Sequence, residues 1–121
     1  MMKMILVEDD YAIRDAFSAI FTPPGYELTA LDTGEPIWNT GIASPDIFVL
    51  DKNIAGTDGG ELCRFIKQAP KYRNIPVLLL SASPDLAETE AGSCADGYLE
   101  KPFTISAIKA IVDRHAVSFP R

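Results

Sequence analysis

Basic residues are in the minority in this 121-residue chain. Eleven Lys and Arg stand against seventeen Asp and Glu, a formal net charge of −6. A phosphate-backbone binder concentrates Lys and Arg on one face, so this balance argues against direct nucleic-acid binding. Cysteine is scarcer still. Cys63 and Cys94 have neither metal-ligand spacing nor the density of a disulfide scaffold, and both are read as reduced packing residues of a cytoplasmic protein. Long apolar runs are missing as well. After Met1-Met2-Lys3-Met4 come only Ile5-Leu6-Val7 and then three acids, far short of a signal-peptide core or a membrane span. The length leaves room for one core and no second output domain, so a single domain over residues 1–121 is expected, its core at about 3–115. A composition 47% hydrophobic and 23% charged suits a folded chain and not a disordered one.

Three apolar runs share one format: Met4-Ile5-Leu6-Val7 before Glu8-Asp9-Asp10, Ile47-Phe48-Val49-Leu50 before Asp51, and Val77-Leu78-Leu79-Leu80 before Ser81. Continuous runs of four without alternation fit strands covered on both faces, as in a parallel sheet. Tyr26 to Leu31 and Gly97 to Leu99 are weaker strand candidates. Helical patterns lie between them. Ile13, Phe17 and Ile20 follow Asp10, and Pro23-Pro24-Gly25 ends that helix. A short second helix follows Thr33 as its cap, a third runs from about Gly59 to Ala69, and a fourth from Pro84 toward Ala91. The last begins after Thr104, with Ile105, Ile108, Ile111 and Val112 as its buried stripe. Five strands alternating with five helices predict a doubly wound α/β sandwich, (βα)5.

That topology gives the polar residues one address. Glu8, Asp9, Asp51, Ser81 and Lys101 all follow strand candidates, and parallel strands bring their C-terminal ends to the edge where open α/β folds place ligands. Carboxylates gathered there repel unless a cation joins them. Oxygen-only donors favour Mg²⁺, with Mn²⁺ as a substitute, over Zn²⁺. Next to such a metal, Asp51 could act as nucleophile toward a phosphoryl group, with Lys101 and the Ser81 hydroxyl on its oxygens. A cis bond before Pro102 is expected to aim Lys101 across the strand ends. From the residues alone, other metal-dependent phosphohydrolases stay open.

The motifs ILVEDDYAIR, the loop from Asp51 to Asp58-Gly59, the pair Ser81-Ala82 and YLEKPF occur in that order between about Lys3 and Arg114. In this the chain resembles the receiver domains of bacterial two-component response regulators, the CheY-like superfamily. The resemblance implies a flavodoxin-like five-stranded parallel sheet of order 2-1-3-4-5. It makes Asp9 a direct Mg²⁺ ligand, Glu8 one through water, and Asp51 and the backbone carbonyl of Asn53 further contacts, with Asp10 just beyond the pair. Asp51 would take a phosphoryl group from a phosphohistidine on a sensor histidine kinase or histidine phosphotransfer protein. Ser81 and Lys101 would read it, and Tyr98 would be the switch aromatic that turns inward when Ser81 moves. Downstream, the resemblance implies a protein partner or attached output domain, or a homodimer through the predicted fourth helix, fifth strand and last helix. The chain would be a cytoplasmic switch acting on its own acyl phosphate and not a turnover enzyme. Side chains at Asn53 and Ser83 would set how fast that phosphate hydrolyses.

Departures from the family pattern are Lys52 after the acceptor, where an apolar residue is usual, Ala55 for a frequent proline, Thr57 for methionine or leucine, and Cys94 for glycine. They keep an alternative in view, a pseudo-receiver that acts without phosphorylation as a docking or dimerisation module. Trp38 and Phe103 are read as packing residues and His115 as a helix-end residue. Arg14 is read as solvated or paired within its helix, with contact to a kinase helix as the other reading.

Overall fold

The computed structural model describes residues 1–54, 57–82 and 94–117. Its centre is Met4–Val7, where successive side chains enter opposite layers: Met4 and Leu6 face one core, Ile5 and Val7 the other. This alternation inside an unbroken apolar run is what a strand covered on both faces requires. The strand is β1 (Met2–Val7), and it pairs in parallel with β2 (Tyr26–Leu31) and with β3 (Ile47–Asp51). A two-residue ribbon of β4 (Asn53–Ile54) and β5 (Thr57–Asp58) follows, before β6 (Val77–Ser81) and β7 (Gly97–Glu100) extend the main sheet. The sheet order is β2-β1-β3-β6-β7, which is 2-1-3-4-5 when only its five strands are counted.

Helices α1 (Tyr11–Ile20) and α4 (Ile105–Val117) supply one layer, with Phe17, Ile108, Ile111 and Val112 against Leu6, Val49 and Leu80. Helices α2 (Glu35–Trp38) and α3 (Gly59–Gln68) supply the other, with Ile37, Leu62 and Ile66 against Ile5, Phe48 and Leu79. Side chains with oxygen acceptors start three of the described helices or stand beside their first turn. Asp10 accepts from the Ala12 N–H, Asp58 from Gly60 and Thr104 from Ala107, each satisfying a donor that the helix itself leaves open.

Two local expectations change. Ile105 is 64% exposed, so the buried stripe of α4 is Ile108, Ile111 and Val112. Ile105 is the first residue of the helix, and the buried positions begin one turn later at Ile108. Gly34, not Thr33, is the cap of α2, because the helix starts one residue later and the Thr33 hydroxyl only accepts from the Glu35 N–H at 3.3 Å. Trp38 leans on Phe65, ring centroids 4.9 Å apart, and Phe103 meets Phe17 edge-on at 6.1 Å. The predicted helix from Pro84 and the residue Ser83 lie outside the described residues.

Candidate phosphoryl-transfer site

The C-terminal ends of β1, β3, β6 and β7 carry Glu8, Asp51, Ser81 and Lys101 to one edge of the sheet. Backbone hydrogen bonds continue the ladder past the strand ends and hold this edge together. Glu8 donates to the Leu31 carbonyl at 2.9 Å, Lys52 to Leu80 at 2.7 Å and Lys101 to Ser81 at 2.7 Å. The side chains of Glu8, Asp51 and Ser81 are buried, whereas Asp9 is exposed.

Lys101 reaches between two carboxylates. Its ammonium lies 2.9 Å from Glu8 Oε2 and 3.2 Å from Asp51 Oδ1. The Lys101–Pro102 peptide bond is cis. Burial would push the lysine toward its neutral form, but the hydrogen bond to Glu8 and the nearby Asp51 charge outweigh it and hold its pKa above the ordinary lysine value. The Glu8 pKa is raised as well, but for a different first cause. Burial raises its carboxyl above the usual range, and Asp51 repulsion adds to this, against the pull of Lys101 and of the Asp10 N–H.

Positive charge is also short at this edge. Glu8, Asp9 and Asp51 each offer one carboxylate oxygen, all within 4.8 Å of one another, and a single ammonium does not neutralise three such groups. The donor set is oxygen only, which fits a hard divalent cation and not a thiophilic one. The residues therefore form a carboxylate cluster capable of holding a divalent metal.

Three supporting residues were not assigned to the site from the sequence. Arg14 is half-buried and its Nη1 donates to the Glu8 carbonyl at 2.9 Å, while its guanidinium lies over the Tyr11 ring. It braces the acidic turn, in place of the solvated or intrahelical pairing expected. Asp58 caps α3 and accepts from Lys52 Nζ at 2.7 Å, so the unusual Lys52 closes the loop after Asp51. Burial would raise the Asp58 carboxyl, but the Lys52 and Gly60 hydrogen bonds together bring it below the usual range. Gly59 closes that loop from the backbone side. Its N–H donates to the Lys52 carbonyl at 2.7 Å, and a Cβ there would sit 2.0 Å from the Asp51 carbonyl oxygen, which no side chain could do. The Asp58-Gly59 dipeptide was the only sequence signal for this; an arginine bonded to a backbone carbonyl leaves none.

Asn53 is exposed, with its N–H 3.4 Å from Asp51 Oδ1. Tyr98 is 46% exposed on β7. Asp10 caps α1, and its N–H donates to Glu8 Oε1. His115 sets its two ring nitrogens against the Ile111 and Asp96 carbonyls, joining α4 to the start of β7. None of the described helices is long and apolar enough to cross a membrane.

The family model of the response regulator receiver domain matches residues 4–113. The response regulator protein FleR of Pseudomonas aeruginosa is 36% identical over 95% of this chain and 24% of its own length. The chain spans about half or less of the length of the curated relatives it matches. Among solved structures, the receiver domain of a signal transduction histidine kinase from Syntrophus aciditrophicus is 26% identical with a TM-score of 0.87, covering 100% of this chain and 94% of that one. The BeF3-activated receiver domain of DrrB, a protein of Thermotoga maritima, is 29% identical with a TM-score of 0.82, over 98% and 99% of the two chains.

Proposed function

The chain belongs to the response regulator receiver domain family, and we propose that Asp51 accepts a phosphoryl group from a phosphohistidine on a sensor histidine kinase or histidine phosphotransfer protein. One observation carries this reading: the Lys101 ammonium stands between the buried carboxylates of Glu8 and Asp51, in a cluster of three acids that is short of cations. The Asp51 carboxylate oxygen attacks phosphorus, the bond from phosphorus to the donor imidazole breaks, and its electron pair stays on nitrogen. Lys101 then turns from Asp51 toward the phosphoryl oxygens and Ser81 donates to another, so the charge is met by groups already in place.

Asp9 and Asp51 would hold Mg²⁺ directly, Glu8 through water and Asn53 by its backbone carbonyl, with Mn²⁺ as a substitute. When bound, the metal supplies charge neutralisation at the phosphoryl oxygens. Tyr98, half out of the surface, would turn inward as Ser81 engages the phosphoryl group, altering the outer face of β7 and α4 for a downstream protein, an attached output domain or a second copy. This is a population shift driven by phosphorylation, the chemistry of a switch and not of a turnover enzyme. The BeF3-activated DrrB receiver domain supports carrying such behaviour over to this chain. A cytoplasmic setting and a single receiver domain over residues 1–121 belong to the same reading.

Intact mass after incubation with Mg²⁺ and phosphoramidate tests it. One phosphoryl group is expected, absent both in Asp51→Ala and without metal. An unmodified wild-type chain, under conditions that modify another receiver domain and with a phosphohistidine donor also tried, would overturn it in favour of a docking module that works without phosphorylation.

A further inference from the structure

Cys63 and Cys94 are separated by 31 residues in sequence, yet their sulfurs lie 3.1 Å apart. Both are free thiols. Cys63 is fully buried on α3, and Cys94 is half-buried three residues before β7. Two elements thus aim their thiols at each other, and about 1 Å of approach would bring the sulfurs to a bonded distance of about 2.05 Å. Lys67, one turn further along α3, is tied to Asp96 and to the Ile75 carbonyl. We propose that this pair is a site of reversible oxidation, closed to an intramolecular disulfide by a peroxide and reopened by a thiol reductant.

The two cysteines have different roles. Burial, the hydrogen bond with Cys94 and its neighbouring charge all push the Cys63 thiol up, and the Lys67 ammonium only partly offsets them, so the enclosed thiol is not the one a peroxide meets first. Cys94 is the accessible one. Its thiolate sulfur attacks a peroxide oxygen and the O–O bond breaks. Hydroxide leaves and takes up the thiol proton as water, and Cys94 becomes a sulfenic acid. The Cys63 sulfur then attacks the Cys94 sulfur and the S–O bond breaks. The departing hydroxide takes the Cys63 proton as a second water. Two thiols lose two electrons, and hydrogen peroxide is reduced to two waters.

The disulfide would fasten α3 to the chain entering β7, the strand of Tyr98. It lies toward the N-terminal end of that strand, whereas Glu8, Asp51 and Lys101 gather at the other edge. Oxidation therefore reads a second kind of input through a place that leaves the acidic cluster intact. Its thiol readout does not depend on phosphoryl transfer, so failure of either reading leaves the other standing.

The test treats the folded chain with hydrogen peroxide, removes the peroxide, alkylates with iodoacetamide in denaturant so that buried Cys63 is reached, and reads intact mass and a non-reducing peptide map. Far-UV circular dichroism before and after the peroxide step confirms that the protein stays folded. The expected product has lost two hydrogen atoms, takes up no iodoacetamide, contains a Cys63–Cys94 linked peptide and regains both alkylatable thiols after dithiothreitol. Cys63→Ser and Cys94→Ser should each abolish the linked peptide. Continued alkylation of both thiols, oxygen addition at Cys94 without hydrogen loss, or a covalent dimer in place of the internal bond would overturn the proposal.

Discussion

Between Glu8 and Asp51, the Lys101 ammonium already does part of what a divalent cation would do there, because both act on the same negative charge. Lysine and metal should therefore compete. Removing the lysine in Lys101→Ala is expected to tighten Mg²⁺ binding by roughly tenfold, since a cation a few ångströms from the metal no longer repels it. The same variant should take up phosphoryl groups more slowly, because it has lost the group that meets their oxygens. Calorimetric titration with Mg²⁺ checks the first part, and unchanged or weaker binding would mean that Lys101 does not act on the metal position. The five residues of this edge were legible in the sequence because Glu8, Asp51 and Ser81 follow an apolar run directly and Asp9 and Lys101 come one residue later. The bracing by Arg14 was not, since a hydrogen bond to the Glu8 carbonyl depends on where α1 lies over the turn.

At the scale of elements, a side-chain hydrogen bond ties β2 to α4, the Tyr26 hydroxyl donating to Asp113 Oδ1 at 2.7 Å. Burial first, then Asp113 accepting the phenol hydrogen and its charge, push the Tyr26 pKa up to about 12 from 10.0. A pKa raised by folding means stability that is complete below the unfolded value of 10.0 and lost as pH rises through about 12. Tyr26→Phe should cost about 1 kcal/mol at pH 8, near the middle of the range for a single hydrogen bond. The gap between wild type and variant should then close as pH rises from 10 to about 12. Urea midpoints across that range measure it, and a gap that stays constant would show that the phenol hydrogen plays no part. The sequence marked β2 only as a weak strand, because its exposed Glu27, Thr29 and Ala30 dilute the apolar signal of an edge position. The α2 cap was misplaced by one residue for a similar reason. Thr33 and Gly34 both suit a helix start, and only the backbone path decides between them.

Across the whole molecule, one sheet serves two apolar layers, so neither layer has a partner of its own to survive on. Phe17→Ala, which empties a fully buried site in the layer of α1 and α4, should destabilise by about 3–5 kcal/mol. Trp38 reports on the opposite layer, where it rests on Phe65. Its fluorescence midpoint in that variant should fall as far as the far-UV circular dichroism midpoint, as a two-state domain requires. A Trp38 transition that stayed in place would show the layers unfolding separately. The amino-acid sequence by itself determined the (βα)5 alternation, the receiver-like order of motifs and the acidic edge, because strand periodicity and the residue after each strand are local properties. Only the tertiary structure decided that Lys101 stands between Glu8 and Asp51, that Lys52 closes its loop on Asp58, and that Cys63 meets Cys94 across 31 residues. Those contacts depend on how separate elements pack against one sheet, and distance along the chain carries no record of that.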